Sequence, residues 1–119
     1  MKVIRSANRK TNVAPASNFT GTVFSDEVVV GTLPSRMRGS VVSFTPGART
    51  AWHSHPVGQT LFCLSGAGRV QREGEQVQEI RAGDTVIIPP ENAPIIPQTR
   101  IAAMPASVMP SAVACSAPA

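Results

Sequence analysis

The stretch Gly47-Ala48-Arg49-Thr50-Ala51-Trp52-His53-Ser54-His55-Pro56-Val57-Gly58-Gln59 holds both histidines of this 119-residue chain. Residues two apart on a strand point to the same face, so His53 and His55 present two imidazoles side by side. Pro56-Val57-Gly58 lets the chain bend. Gln59 then opens the next strand and can swing its amide oxygen toward the same point. Two nitrogens and one oxygen on one wall form a half-shell for a divalent transition metal. Imidazole suits Mn, Fe, Ni, Cu or Zn, and an amide oxygen adds a harder, neutral ligand. A solvated pair of histidines at a strand end is the competing reading.

On either side of this stretch the sequence breaks into short apolar runs. Residues 19–24, 28–30, 40–44, 60–64 and 85–88 have strand composition, with Gly and Pro between them. Residues 68–73 and 75–81 alternate around Gly74, a hairpin signature. Val3-Ile4 could add an edge strand, and residues 101–104 one weak closing strand. No window sustains helical periodicity, so the expected class is an all-β sandwich or barrel. With Gln59 inward, period-two alternation also sends Leu61 and Cys63 inward, making them pocket-wall candidates. Ser40, Val42 and Phe44 share one face of their strand and are candidates for the opposite wall.

At 12.5 kDa the chain is one domain's worth of protein. Hydrophobic residues are 42% of it and charged residues 15%, so most of it should fold. No apolar run approaches the roughly 20 residues of a membrane span, and no membrane partner is expected. Four Phe, one Trp and no Tyr are too few stacking faces for a single-stranded nucleic-acid platform. The net charge is +4, but Lys2, Arg5, Arg9 and Lys10 supply it. Basicity therefore reads as a property of the amino-terminal arm rather than of a binding face, and no nucleic-acid partner is expected. Cys63 and Cys115 make no disulfide framework. The amino terminus has no secretory apolar stretch, so a cytoplasmic location is the default.

Residues 1–18 read as an arm able to give an edge or swapped strand, residues 19–104 as the β-barrel, and residues 105–119 as an Ala/Pro-rich, loosely ordered tail. From Pro89 onward the chain has 7 of its 11 prolines and 8 alanines, with Glu91 and Arg100 as the sole charges. Proline cannot donate to a ladder, so nothing beyond Pro105 is expected to enter a sheet interior.

Gly47, His53, His55, Gln59 and Gly66, at these spacings, resemble the first signature motif of the cupins, with Gln where the general pattern has Glu. Gly83 and Pro89 resemble the opening of the second motif. The residues at 19–23, 46–53, 55–56, 58–61 and 68–71 are similar to those of small single-domain cupins related to manganese-dependent hydroxynitrile lyases and carboxymuconolactone-decarboxylase-associated cupins. The resemblance covers residues 19–90. It implies a cupin-type conserved β-barrel (double-stranded β-helix, jelly-roll-like), a metal in its mouth, and a homodimer or homotetramer. It further implies His53, His55 and Gln59 as metal ligands and Mn as the preferred ion, with Fe, Ni or Zn as other occupants. A neutral Gln leaves more net positive charge on the ion than Glu, which favours Lewis-acid over redox chemistry.

The second motif departs from the pattern. Its ligand histidine would fall at Pro94, which has no side-chain donor, and its Gly at Glu91. Further family histidines would fall at Ile96 and Ala106. Glu91 reads as a solvated turn carboxylate before it reads as a substitute ligand, and Asp84 as a turn residue. The switch in composition near Pro90 fits either divergence of the last strand or a change of reading frame. The implied activity is that of a metal-dependent lyase on a small molecule, by cyanohydrin cleavage or synthesis, with no catalytic base assigned. The alternative is a non-catalytic cupin that binds a small molecule with weakly bound or absent metal.

Overall fold

A computed structural model describes residues 1–55, 57–90, 98–103 and 111–118. A single 3-10 turn, Ser6–Asn8, precedes eleven strands in these residues, so the all-β expectation holds. The strands are β1 (Thr11–Val13), β2 (Phe19–Thr20), β3 (Val23–Val30), β4 (Met37–Phe44), β5 (Arg49–Thr50), β6 (Gln59–Ser65), β7 (Ala67–Arg72), β8 (Gln78–Arg81), β9 (Thr85–Ile88), β10 (Thr99–Ala103) and β11 (Ser111–Pro118). They form a six-stranded sheet, β1-β3-β4-β11-β6-β9, and a five-stranded sheet, β2-β5-β10-β7-β8. No helix among the described residues is long and apolar enough to cross a membrane.

Alternation explains which faces meet. Along β10 the burial runs buried, half-buried, buried, so Thr99, Ile101 and Ala103 point in and Arg100 and Ala102 point out. Along β6, Leu61 and Cys63 are buried while Phe62 and Leu64 are exposed. The inward residues of the two sheets, Val23, Phe44, Leu61, Val70, Ile80 and Ile101 among them, pack into one core. Burying a side chain the size of Val23 or Leu61 contributes about 1.5–3 kcal/mol.

Three expectations are corrected. The first is the edge strand in the arm. It lies at β1, pairing with β3, whereas Val3 and Ile4 are exposed and belong to no strand. The second is the run at 19–24, which is two strands. Gly21 breaks it at φ +80°, where a Cβ would stand 3.0 Å from Ala48 Cα. Beyond the break, β3 runs on through residues 28–30, with a register shift between Glu27 and Val29. The third is the sheet boundary at Pro105. β11 pairs with β4 on one side and β6 on the other, inside the six-stranded sheet. Its prolines explain the outcome: Pro110 precedes the strand and Pro118 is its last residue, so the seven residues between them keep their N–H groups for the ladders. Residues 104–110 and 119 lie outside the described residues.

Candidate functional site

The turn after β5 is held to its neighbours by backbone bonds before any side chain is considered. The Ala51 N–H donates to the Asn18 carbonyl at 2.7 Å. His53 and Thr99 exchange both backbone bonds, His53 N–H to Thr99 O at 3.2 Å and Thr99 N–H to His53 O at 2.7 Å. β10 thus anchors the first histidine. The Gly58 N–H donates to the His55 carbonyl at 2.8 Å, which closes the bend that delivers Gln59 to the start of β6.

His53 Nδ1 lies 2.9 Å from the Ala51 carbonyl. A carbonyl only accepts, so Nδ1 carries a proton, which in the neutral ring leaves the lone pair on Nε2. The His53 and His55 rings meet edge to face, centroids 4.8 Å apart and planes at 82°. Burial pushes the His55 imidazole below its ordinary value of 6.5, and the neighbouring His53 pushes it the same way. The neutral form of His55 is therefore favoured. Its Nε2 and the Oε1 of Gln59 are both buried without a hydrogen-bond partner among the described residues. Buried polar atoms left unpaired cost free energy, so two of them at one place indicate a site shaped for something that accepts their lone pairs. Among the described residues no group of three His, Cys, Asp or Glu stands together. The donor set here is two imidazoles and a neutral amide, which fits a divalent transition metal with positions left for water or substrate. Glu91, Pro94, Ile96 and Ala106 lie outside the described residues.

These three side chains line a cavity of about 540 Å³. Ser40, Val42 and Phe44 of β4 line it too. Leu61 and Cys63 do not, which corrects their assignment as pocket wall. They do point inward with Gln59, but further along β6, where Leu61 is 1% and Cys63 2% exposed. Leu61 belongs to the packed core beneath the cavity. Asp84 is a turn residue, its carboxylate accepting from the Arg81 N–H at 2.7 Å.

Sequence reasoning missed Ser17, Asn18, Phe19, Ser25, Thr50 and Ile101, which also face the cavity. Ser25 was within reach, since it shares a face with buried Val23 two residues earlier. Ser17 and Asn18 carried no signal, because they precede the first strand of the expected barrel. Phe19 and Phe44 form a tilted aromatic pair at 6.2 Å, giving the cavity one apolar wall. Trp52 lines the cavity while its ring carries the Arg100 guanidinium at 4.9 Å.

Comparison with known proteins adds the following. Residues 40–94 match the family model described as Cupin domain. An (R)-mandelonitrile lyase from Granulicella tundricola is 46% identical over 90 residues, 76% of this chain and 69% of that protein. A cupin-like protein from Thermotoga maritima superposes with a TM-score of 0.74 at 31% identity, over 88% of this chain and 75% of the other. The polyketide cyclase RemF from Streptomyces resistomycificus has the same fold, with a TM-score of 0.77 at 16% identity over 99% and 79% of the two chains.

Proposed function

The chain belongs to the cupin family, and from that premise we propose that it is a metal-binding cupin acting as a lyase on a small organic substrate, with cyanohydrin cleavage or synthesis as the reaction. The observation that carries this reading is the pair of buried, unpartnered acceptors, His55 Nε2 and Gln59 Oε1, beside the oriented ring of His53. The identity to a mandelonitrile lyase supports the choice of reaction.

In this reading His53 Nε2, His55 Nε2 and Gln59 Oε1 hold a divalent ion, Mn by preference. A bound ion of this kind supplies Lewis-acid polarisation of a substrate oxygen or nitrile. The rest is done by the chain itself. The Ala51 carbonyl fixes the His53 tautomer, as second partners of ligating histidines commonly do. Burial keeps His55 unprotonated. Phe19, Phe44 and Val42 cover an apolar substituent and exclude water from it, while the Ser25 and Ser40 hydroxyls offer hydrogen bonds to a polar one. A cytoplasmic location belongs to the same proposal, as does a homodimer or homotetramer. Phe62, Leu64 and Ile87, exposed on the outer face of the six-stranded sheet, support the assembly. A monomer by light scattering would remove it.

Proline at the fourth ligand position favours a second reading, a cupin that binds a small molecule without turnover. Elemental analysis of protein from manganese- and iron-supplemented cells, paired with a mandelonitrile cleavage assay, separates the two. The lyase reading expects about one metal ion per chain and turnover lost in His53→Ala. Protein free of metal and without turnover overturns it.

A further inference from the structure

On the other side of the five-stranded sheet from the cavity lies a smaller hollow with a different chemistry. Its volume is about 150 Å³, and Arg49, Arg69, Arg100 and Gln71 line it together with Val70, Val77 and Ala102. The ladder register explains why it exists. Ala102 of β10 stands opposite Arg49 of β5 on one side and opposite Arg69 of β7 on the other. A methyl group thus sits between two long side chains and leaves a depression, with the two arginine Cα atoms roughly 10 Å apart across it. Arg100, two residues earlier on the same outward face, closes the hollow along the strand.

The charges there are unbalanced. No carboxylate among the described residues lines the hollow. The nearest by register is Glu79, opposite Arg69 on β8, and it is ion-paired with Arg81. Guanidinium does not deprotonate in proteins, so three permanently charged side chains line one small space. Arg100 Nε is buried and has no hydrogen-bond partner among the described residues. Outside the amino-terminal arm, acidic and basic residues are equal in number, which hides this clustering from any count along the chain. The fold gathers three of the seven basic residues into one place.

We propose that this hollow is a binding site for a small oxyanion, a phosphate or a compact carboxylate. Its volume is roughly five times a water molecule's share of liquid, which suits a tetrahedral oxyanion or a short carboxylate. Arg49 and Arg69 flank the hollow on the strands either side of Ala102, and arginine's planar fork binds oxyanions bidentately. Arg100 brings an N–H that is already desolvated and unspent. The site is independent of the metal and of the lyase reading, since neither Arg49 nor Arg69 lines the cavity.

The single tryptophan makes the test direct, because Trp52 carries the Arg100 guanidinium on its ring. Trp52 fluorescence is titrated with inorganic phosphate and, separately, with succinate, at ionic strength held constant with chloride. The proposal expects a saturable change with half-saturation below about 1 mM for at least one of them, and which one saturates identifies the ligand class. In Arg49→Gln/Arg69→Gln the half-saturation rises at least tenfold, while far-UV circular dichroism and Tm match the parent. Linear, unsaturated titrations with both anions overturn the proposal. So does a double variant that titrates like the parent, since the anion would then bind elsewhere.

Discussion

The rings of His53 and His55 stand 4.8 Å apart, edge to face, and the two are oriented by different means. His53 is fixed by its own Nδ1 bond to the Ala51 carbonyl, whereas His55 is kept neutral by burial. Both devices favour a free nitrogen lone pair, and neither needs a carboxylate partner. In the proposed metal-binding reading the two rings are oriented before any ion arrives, and affinity should rest on individual donors.

Replacing either ring by Ala is expected to weaken Mn2+ binding by more than the 10–100-fold typical of losing a supporting partner, because a direct ligand is removed. The fold should survive in both variants. The bridge between His53 and Thr99 is made by backbone atoms, which Ala retains. Calorimetric titration with Mn2+, alongside thermal unfolding, checks both halves. Binding unchanged in His55→Ala would contradict the half-shell.

Gly58 offers a subtler test, because it acts on the bend rather than on a ligand. Its φ is +84°, and an added Cβ would meet the Ile88 carbonyl oxygen at 2.9 Å and Pro90 at 3.1 Å. Gly47 has a similar φ of +78° but nothing within 4 Å of the same point. Gly47→Ala should therefore cost about 1–2 kcal/mol from backbone strain alone. Gly58→Ala should cost more, since a backbone oxygen has to move, and it should also weaken Mn2+ binding by displacing Gln59. Denaturant unfolding of the two variants gives the first comparison and metal titration the second. Equal losses of stability, with equal metal affinity, would dissociate the bend from the site.

Much of this site was readable from spacing alone, for a local reason. Alternation places Ser40 with Val42 and Phe44, because strand geometry repeats every two residues whatever surrounds it. His53 and His55 meet for another reason: they lie in the turn after β5, not on the strand the sequence suggested, with His53 held by its bridge to Thr99. The hairpin at Gly74 and the strand β9 were equally plain. Depth was not readable. Gln59, Leu61 and Cys63 share an inward face, yet only the first reaches the cavity, because distance along a strand from the barrel mouth is a tertiary quantity. β11 escaped for want of contrast: its Ala, Ser, Val and Cys residues show no strong apolar alternation, and flanking prolines suggested exclusion. The Arg49, Arg69 and Arg100 cluster escaped because its members lie on three strands far apart in sequence.

Cys63 provides a pH dependence whose sign follows from its surroundings. Burial pushes its thiol above the ordinary value of 9.0, and the nearby Asp84 charge adds to this. The folded chain therefore holds the proton at pH values where the unfolded chain has released it. This contribution to stability is complete below pH 9.0 and is lost as pH rises through the folded-state value. The chain suits the experiment, having no Tyr and just two lysines, Lys2 and Lys10, both in the arm. Unfolding free energies are compared between about pH 8 and pH 11 for a Cys115→Ser background and the same background with Cys63→Ala. The parent curve should fall more steeply above pH 9.0 than the Cys63→Ala curve. Parallel curves would mean that the thiol ionises as readily in the folded chain as in the unfolded one, and that solvent reaches a side chain placed here in the packed interior of β6.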